Sequence, residues 1–460
     1  MSANLILGGL LGDHPNTYLM NLDRYHGESW RRTTRAIGGY WSGDFIITAD
    51  RMKPLQMGHF FDTYIGHVIK EITFGVVTWE GQIVQIDRRE NGVMWRRTMD
   101  PERWHNRVKV IYTYPRSEDN EQGSLTYNPA ANSFQDEDQD FSDWETLAGN
   151  AVYEIVVTNT DASTCRGYLG ASFTTTNAND SIYVYTDLAL STAGWNGTTA
   201  AKTPNSYIVR DVDDYGVQQE SAWAENTNST GIYGDAEYIE VMGESYATPA
   251  EAHRDRRLAE NAYPKSVPVG GLARGEESQP DELRVYCAGA VHTINRRYRE
   301  TDTAGAAVST QISTLVGESE FVTAGRIDTN SMIWPITCSG IPSRLWDLIE
   351  EMVLLGDSSG NRWVGAVYNG RVFDYYQAES AVTHLWQNGR LLDLTGYPVP
   401  ASMIRPDIIV QVAGMAAGVQ PPGGSVWDNP RNVYIEEVEY VAPNQYRLTP
   451  YEGGTLVGGE

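Results

Sequence analysis

Cysteine is nearly absent: Cys165, Cys287 and Cys338 are the only three in 460 residues. They lie far apart in no redox or metal spacing, which excludes a disulfide framework and a thiolate metal site and leaves core or incidental thiols. Lysine is scarcer still relative to its class, with 5 lysines against 30 arginines. Arginine makes planar, two-pronged contacts with carboxylates, which suits subunit interfaces, although a GC-rich genome gives the same bias. Basic charge as a whole is short, and the formal charge is −25. That excludes general nucleic-acid binding and attachment to anionic membranes, both of which need a basic footprint. Apolar runs long enough to cross a bilayer are also lacking. The opening MSANLILGGLLGDHP has a short apolar stretch without a basic start, so no signal peptide is expected, and the chain is expected to be soluble and made without export.

Active-site grammar is missing too. There is no phosphate-binding glycine loop, no H-E-x-x-H and no G-x-S-x-G. The eight histidines include no pair three or four apart. His59 and His67 are eight apart, too far to share one metal even on a single helix. Asp136, Asp138 and Asp140 alternate like the start of a calcium loop, but Phe141 replaces the glycine and Leu147 the bidentate glutamate, so a surface acidic run is expected. Trp79, Trp95 and Trp104 suit core or interface packing better than a sugar groove. A glycosidase-like carboxylate pair stays open, since nothing singles out two of the 60 acidic residues. No catalytic, cofactor-binding or metal-binding residue is therefore predicted, and no cofactor.

What is present is strand, turn and aromatic. Glycine and proline total 64 and aromatics 49, and four Asn-Gly pairs, at 91, 196, 369 and 388, mark antiparallel hairpins. In residues 343 to 376, Leu345, Ile349, Met352 and Val353 recur at helical spacing, with Asp347, Glu350 and Glu351 on the other side. Ser343 is the expected N-cap and Gly356 the stop, and a type I′ turn is expected at Asn369-Gly370. A first β-rich block runs over residues 1–114. From about 115 the composition turns acidic and rich in Thr, Asn and Ser, which suggests a β-sandwich inserted at 115–205, the alternative being a long decorated loop. The first block resumes over 206–264 and ends in a helix capped by Thr248 with Pro249 at its start. A Pro/Gly/Glu linker at 265–281 leads to a second β-rich block at 282–460.

Three patches resemble the hub proteins at the tail tip of long-tailed bacteriophages: residues 221–264 with Ser229, Tyr233 and Gly234 in a turn, the helix and hairpin at 343–376, and NRVKVIYTY at 106–114. The resemblance implies a mainly β (α+β) fold with two barrel-like hub domains, few helices and the inserted sandwich. It implies a structural virion protein, not an enzyme, forming a homotrimeric ring at the baseplate hub. Its partners would be copies of itself, distal tail or tail-tube proteins, a tail fibre or spike and the tape measure protein. It would be made in the host cytoplasm, without specific nucleic acid or stable membrane insertion. The alternatives are a carbohydrate- or receptor-binding tail protein using residues 115–205 and, third, a hydrolase.

Overall fold

The computed structural model describes residues 4–11, 16–90, 93–113, 218–245, 247–271, 281–338, 342–412, 431–441, 444–451 and 455–459, with the backbone of short strands inside 118–211. The chain divides into two compact units. One holds Met1–Val108, Trp223–Tyr238 and Asp255–Glu460, and the other holds Lys109–Ala222 and Ile239–Arg254.

The first unit is mainly β, built on a large curled sheet that forms a half-barrel. Its N-terminal strands are β1 (Asn4–Leu10), β2 (Tyr18–Asn21), β3 (Arg31–Arg35), β4 (Gly38–Thr48), β5 (His67–Thr73), β6 (Val76–Glu90) and β7 (Val93–Thr98). β6 runs through the centre. β5 pairs with its first part, β7 with its last part, and Glu282–Gly289 with its other edge. Glu282–Gly289 pairs in turn with β4, β4 with β3, and β3 with Arg431–Val441.

This pairing overturns the expected second domain beginning at 282. The strand at 282–289 lies between β4 and β6 in the first block's own sheet. The reason is physical: β4 and β6 are long strands whose facing edges would otherwise leave rows of unpaired backbone groups. Glu282–Gly289 satisfies both and buries Leu283, Val285 and Cys287 on one face. The expected linker is corrected as well, because Ser266–Gly271 is a strand paired with β7, with Pro268 opposite Trp95. Pro is tolerated there because the strand is an edge. Residues 272–280 lie outside the described ones.

Trp30, Phe45 and Trp79 pack at the heart of the sheet, with Trp30 and Trp79 edge to face at 5.4 Å. Beside them is a buried ion pair. The Glu71 carboxylate accepts from Arg32 Nε at 2.5 Å, Trp30 Nε1 at 3.0 Å and Thr78 Oγ1 at 2.7 Å. Arg32 also donates to the Ser402 carbonyl, tying β3 and β5 to the C-terminal part.

A second core forms where the helices Val308–Gly317 and Leu345–Leu355 meet the hairpin Trp363–Tyr368 and Val372–Gln377. Leu345, Ile349, Met352 and Val353 are buried as their spacing predicts, and Gly356 ends the helix at φ 72°. Two details differ. Arg344, not Ser343, holds the N-cap position, and no side chain caps the helix. The turn holds three residues, Asn369–Arg371, and the left-handed φ values fall on Gly370 (70°) and Arg371 (60°), so it is not the type I′ turn expected at Asn369-Gly370. Tertiary contacts override the local preference: Asn369 Oδ1 accepts from Tyr40 Oη at 2.5 Å, and Gly370 N–H donates to Glu80 at 3.2 Å. At Asn388-Gly389, with φ 51° and 71°, the two-residue turn forms as expected. The pair at 91–92 lies outside the described residues, as does the one at 196–197.

The second unit differs in extent from the insert expected at 115–205. Within it Tyr153–Asn159 pairs with Thr164–Leu169 and Pro204–Asp211, which pairs with Glu118–Gln122, in a four-stranded antiparallel sheet. A three-stranded sheet joins Thr126–Asn128, Ser133–Gln135 and Ser181–Tyr183. Val110, Tyr112 and Ala250 form a small core there. Lys109 and Ile111 are buried as well, so the strand Arg107–Thr113 is buried on both faces. Lys109 is paired with Glu220 at 2.9 Å. The helix Ala247–Asn261 starts one residue before Thr248, so Thr248 and Pro249 lie in its first turn.

Candidate functional site

Two features of the first unit stand out: a cavity with a buried cation, and apolar side chains held on the outside. The cavity is about 550 Å³ and lies where β6, β7 and Glu282–Gly289 meet residues 99–104 and 292–296. Small-molecule sites commonly fall in this size range.

Arg296 is buried on its wall. Its guanidinium donates to the Tyr233 carbonyl at 3.3 Å and to the Gln82 side-chain oxygen, and lies 5.2 Å from the Trp104 ring. The Gln82 amide is oriented by its own donation to the Gly66 carbonyl at 2.7 Å, which turns its oxygen toward the guanidinium. Among the described residues no carboxylate makes an ion pair with Arg296, and burial pushes the guanidinium down to about 10. Two wall atoms have no hydrogen-bond partner among the described residues, the Trp104 indole Nε1 and Asn295 Oδ1. Glu237 also lines the cavity but is already engaged, by Arg107 at 2.6 Å and the Tyr298 N–H at 2.8 Å; burial raises its carboxyl above the ordinary range.

The turn at Ser229, Tyr233 and Gly234 adjoins this region through Tyr233, whose carbonyl accepts from Arg296 and whose ring meets Trp104. Asn226 caps the helix Thr227–Tyr233 by accepting from Ser229 N–H at 3.0 Å. Buried Asn106 then accepts from Ala236 N–H at 2.8 Å and donates to the Gly234 carbonyl at 2.7 Å. Gly234 has φ +76°, and a Cβ there would meet Phe321 at 2.0 Å, so only glycine fits.

No protein-family model matches this chain, and no curated protein matches it.

The external features are apolar. The two-residue turn between β5 and β6 is Phe74-Gly75, with φ 52° and 78°. Phe74 is 60% exposed and Val76 beside it 44%. A bulky residue at positive φ is a true outlier, since the left-handed region suits Gly, Asn and Asp. Elsewhere, Arg362 is held between the rings of Tyr434 and Tyr451, at 4.1 and 4.0 Å, with Leu354 and Tyr451 exposed around a shallow pocket of about 240 Å³. Several sheet edges are open among the described residues. Tyr18–Asn21 pairs only with β1, Thr323–Ile327 only with Val372–Gln377, and Leu456–Gly459 only with Gln445–Pro450.

The groups weighed from the sequence do not come together. His59 sits on the helix Pro54–Thr63 and His67 on β5, so they do not share a helix. Trp79 is in the core, Trp95 is partly exposed on β7, and Trp104 lines the cavity. Cys287 and Cys338 are buried free thiols. The acidic run at 136–147 and the side chain of Cys165 lie outside the described residues. Among the described residues no cluster of three or more His, Cys, Asp or Glu could hold a metal, and no helix is long and apolar enough to cross a membrane. Sequence reasoning missed Arg296, because nothing in HTINRRYRE distinguishes the buried arginine from Arg297 and Arg299. Phe74-Gly75 is an X-Gly turn between apolar runs, a weaker hairpin signal than Asn-Gly or Asp-Gly.

Proposed function

We propose that this chain works by assembly, as a structural hub protein of a long-tailed phage tail tip. Three copies would form a ring that joins the tail tube or distal tail proteins to a fibre or spike, within the virion and with no substrate turned over. The observation that carries the assembly reading is Phe74. A phenylalanine in left-handed backbone, with most of its ring in water, is a poor choice for the isolated fold. Its retention is explained if the ring fills a pocket on a neighbouring copy. The open sheet edges support the same reading, because unpaired edge strands are templates for another chain. So does the Tyr434–Arg362–Tyr451 stack, since Tyr and Arg dominate the energetics of protein interfaces.

The test is light scattering of the purified full chain, with imaging of virions. A mass three times 51.2 kDa, and a threefold ring in tail images, is the expected result. A monomer at all accessible concentrations, with no such ring in virions, removes the proposal. Glycan binding by the monomer would instead favour a receptor-binding role.

A further inference from the structure

Inside the first unit, the cavity beside Arg296 has the makings of a ligand site. A guanidinium carries five N–H donors, and the two hydrogen bonds made by Arg296 both go to neutral oxygens. A buried charge without an opposite partner in contact is costly, and among the described residues no carboxylate makes a close ion pair with it. Glu320 attracts it only at longer range, and the Glu320 Oε2 accepts from the Asp235 N–H at 2.7 Å. A second donor, the Trp104 indole N–H, is also buried in this wall without a partner. Val84, Met99 and Ala288 line the same space with apolar surface.

We propose that the cavity binds a small organic carboxylate with an apolar body. The carboxylate pairs with Arg296 and accepts from the Trp104 indole, and the body packs on the apolar wall. A single negative charge fits better than a phosphate dianion, because Glu237 and Asp100 also line the space and repel excess charge. The Asn295 Oδ1 acceptor suits a hydroxyl on the same molecule. This inference is independent of the assembly reading, which concerns the outer surface.

The experiment is calorimetric titration of the full chain with 4-hydroxybenzoate, its neutral counterpart 4-hydroxybenzamide, and inorganic phosphate. The carboxylate should bind at least about tenfold more tightly than the amide, as expected for a hydrogen-bonded charge pair out of water. Trp104→Phe, which keeps an aromatic though smaller ring and removes the donor, should weaken the carboxylate severalfold and the amide much less. Arg296→Gln should bring the carboxylate down to the level of the amide. If that variant fails to fold, Arg296→Lys serves: it keeps the charge, loses the fork, and should weaken the carboxylate while preserving its preference over the amide. Equal affinity for acid and amide overturns the proposal, as does the absence of saturable carboxylate binding. Phosphate binding as tightly as the carboxylate overturns the apolar half of it.

Discussion

Replacing Phe74 by Asn separates what the hairpin tip does for the fold from what it does for association. In the fold, Phe74 costs about 1–2 kcal/mol by holding a side chain at φ 52°, a penalty that Asn largely avoids. Against this, the ring is 60% exposed, so the variant forfeits at most the remaining contact, roughly 1 kcal/mol of a full phenylalanine's burial. The two contributions nearly cancel, and chain stability should change by less than about 1 kcal/mol in urea unfolding. Association should not be spared. An aromatic anchor seated in a partner is worth about 2 kcal/mol or more, so each contact should weaken roughly thirtyfold. Sedimentation of wild type and F74N across a concentration series reads this directly, with urea midpoints as the control. Unchanged association would show that Phe74 is not an anchor. A loss of stability above about 2 kcal/mol would show that the ring supports the fold itself, and the argument from strain would fail.

Four further outcomes follow from the interior. Arg32→Met and Glu71→Leu should each destabilise by about 3–5 kcal/mol, since either leaves a buried charge alone, while the double variant should be less destabilised than the sum of the two in urea unfolding, short of wild type because Trp30, Thr78 and the Ser402 carbonyl lose their partners. Gly234→Ala should cost about 2–4 kcal/mol, because the new Cβ meets Phe321 in left-handed backbone; a thermal melt reads it. Asn106→Ala should cost about 1–3 kcal/mol by stranding the Gly234 carbonyl and the Ala236 N–H. For His292, burial pushes the imidazole down to about 4, and it bonds the Trp41 carbonyl at 3.1 Å in its neutral form. Its folded value lies below its unfolded one, so its contribution is fully present above about pH 6.5 and is lost as pH falls toward 4. The stability difference between wild type and His292→Gln should therefore shrink across that window, and a difference independent of pH would contradict the burial argument.

The elements legible in the sequence were those whose signal is local. The helix Leu345–Leu355 followed from four apolar residues on one face, and the turn at 388–389 from Asn-Gly between apolar strands. What failed depended on distant partners. Asn369-Gly370 has the same dipeptide, yet Tyr40 and Glu80, some 290 residues or more away in the chain, draw it into a different turn. The strand at 282–289 looked like the start of a new domain because its partners, β4 and β6, precede it by about 200 residues. The cavity was illegible for the same reason: Gln82, Trp104 and Arg296 carry no shared spacing, and only the curl of the sheet brings them together. The absence of local motifs therefore says little about sites assembled across a sheet.

Net charge supplies a further discrimination between two kinds of interface. Each copy carries a formal charge of −25, so any ring of copies forms against repulsion. Apolar anchors such as Phe74 and backbone pairing along open edges do not depend on charge, whereas the repulsion does. Raising salt shortens the screening length from about 10 Å at 0.1 M to about 3 Å at 1 M and weakens repulsion between exposed carboxylates. Association through apolar and edge contacts should thus tighten as salt rises. If the many arginines instead hold the ring together through pairs with carboxylates of the neighbour, salt screens the attraction and the trimer should loosen. Light scattering at a fixed protein concentration across a sodium chloride series decides between them. A trimer that falls apart with added salt would show that arginine pairing, and not the apolar tips and edges, carries the interface.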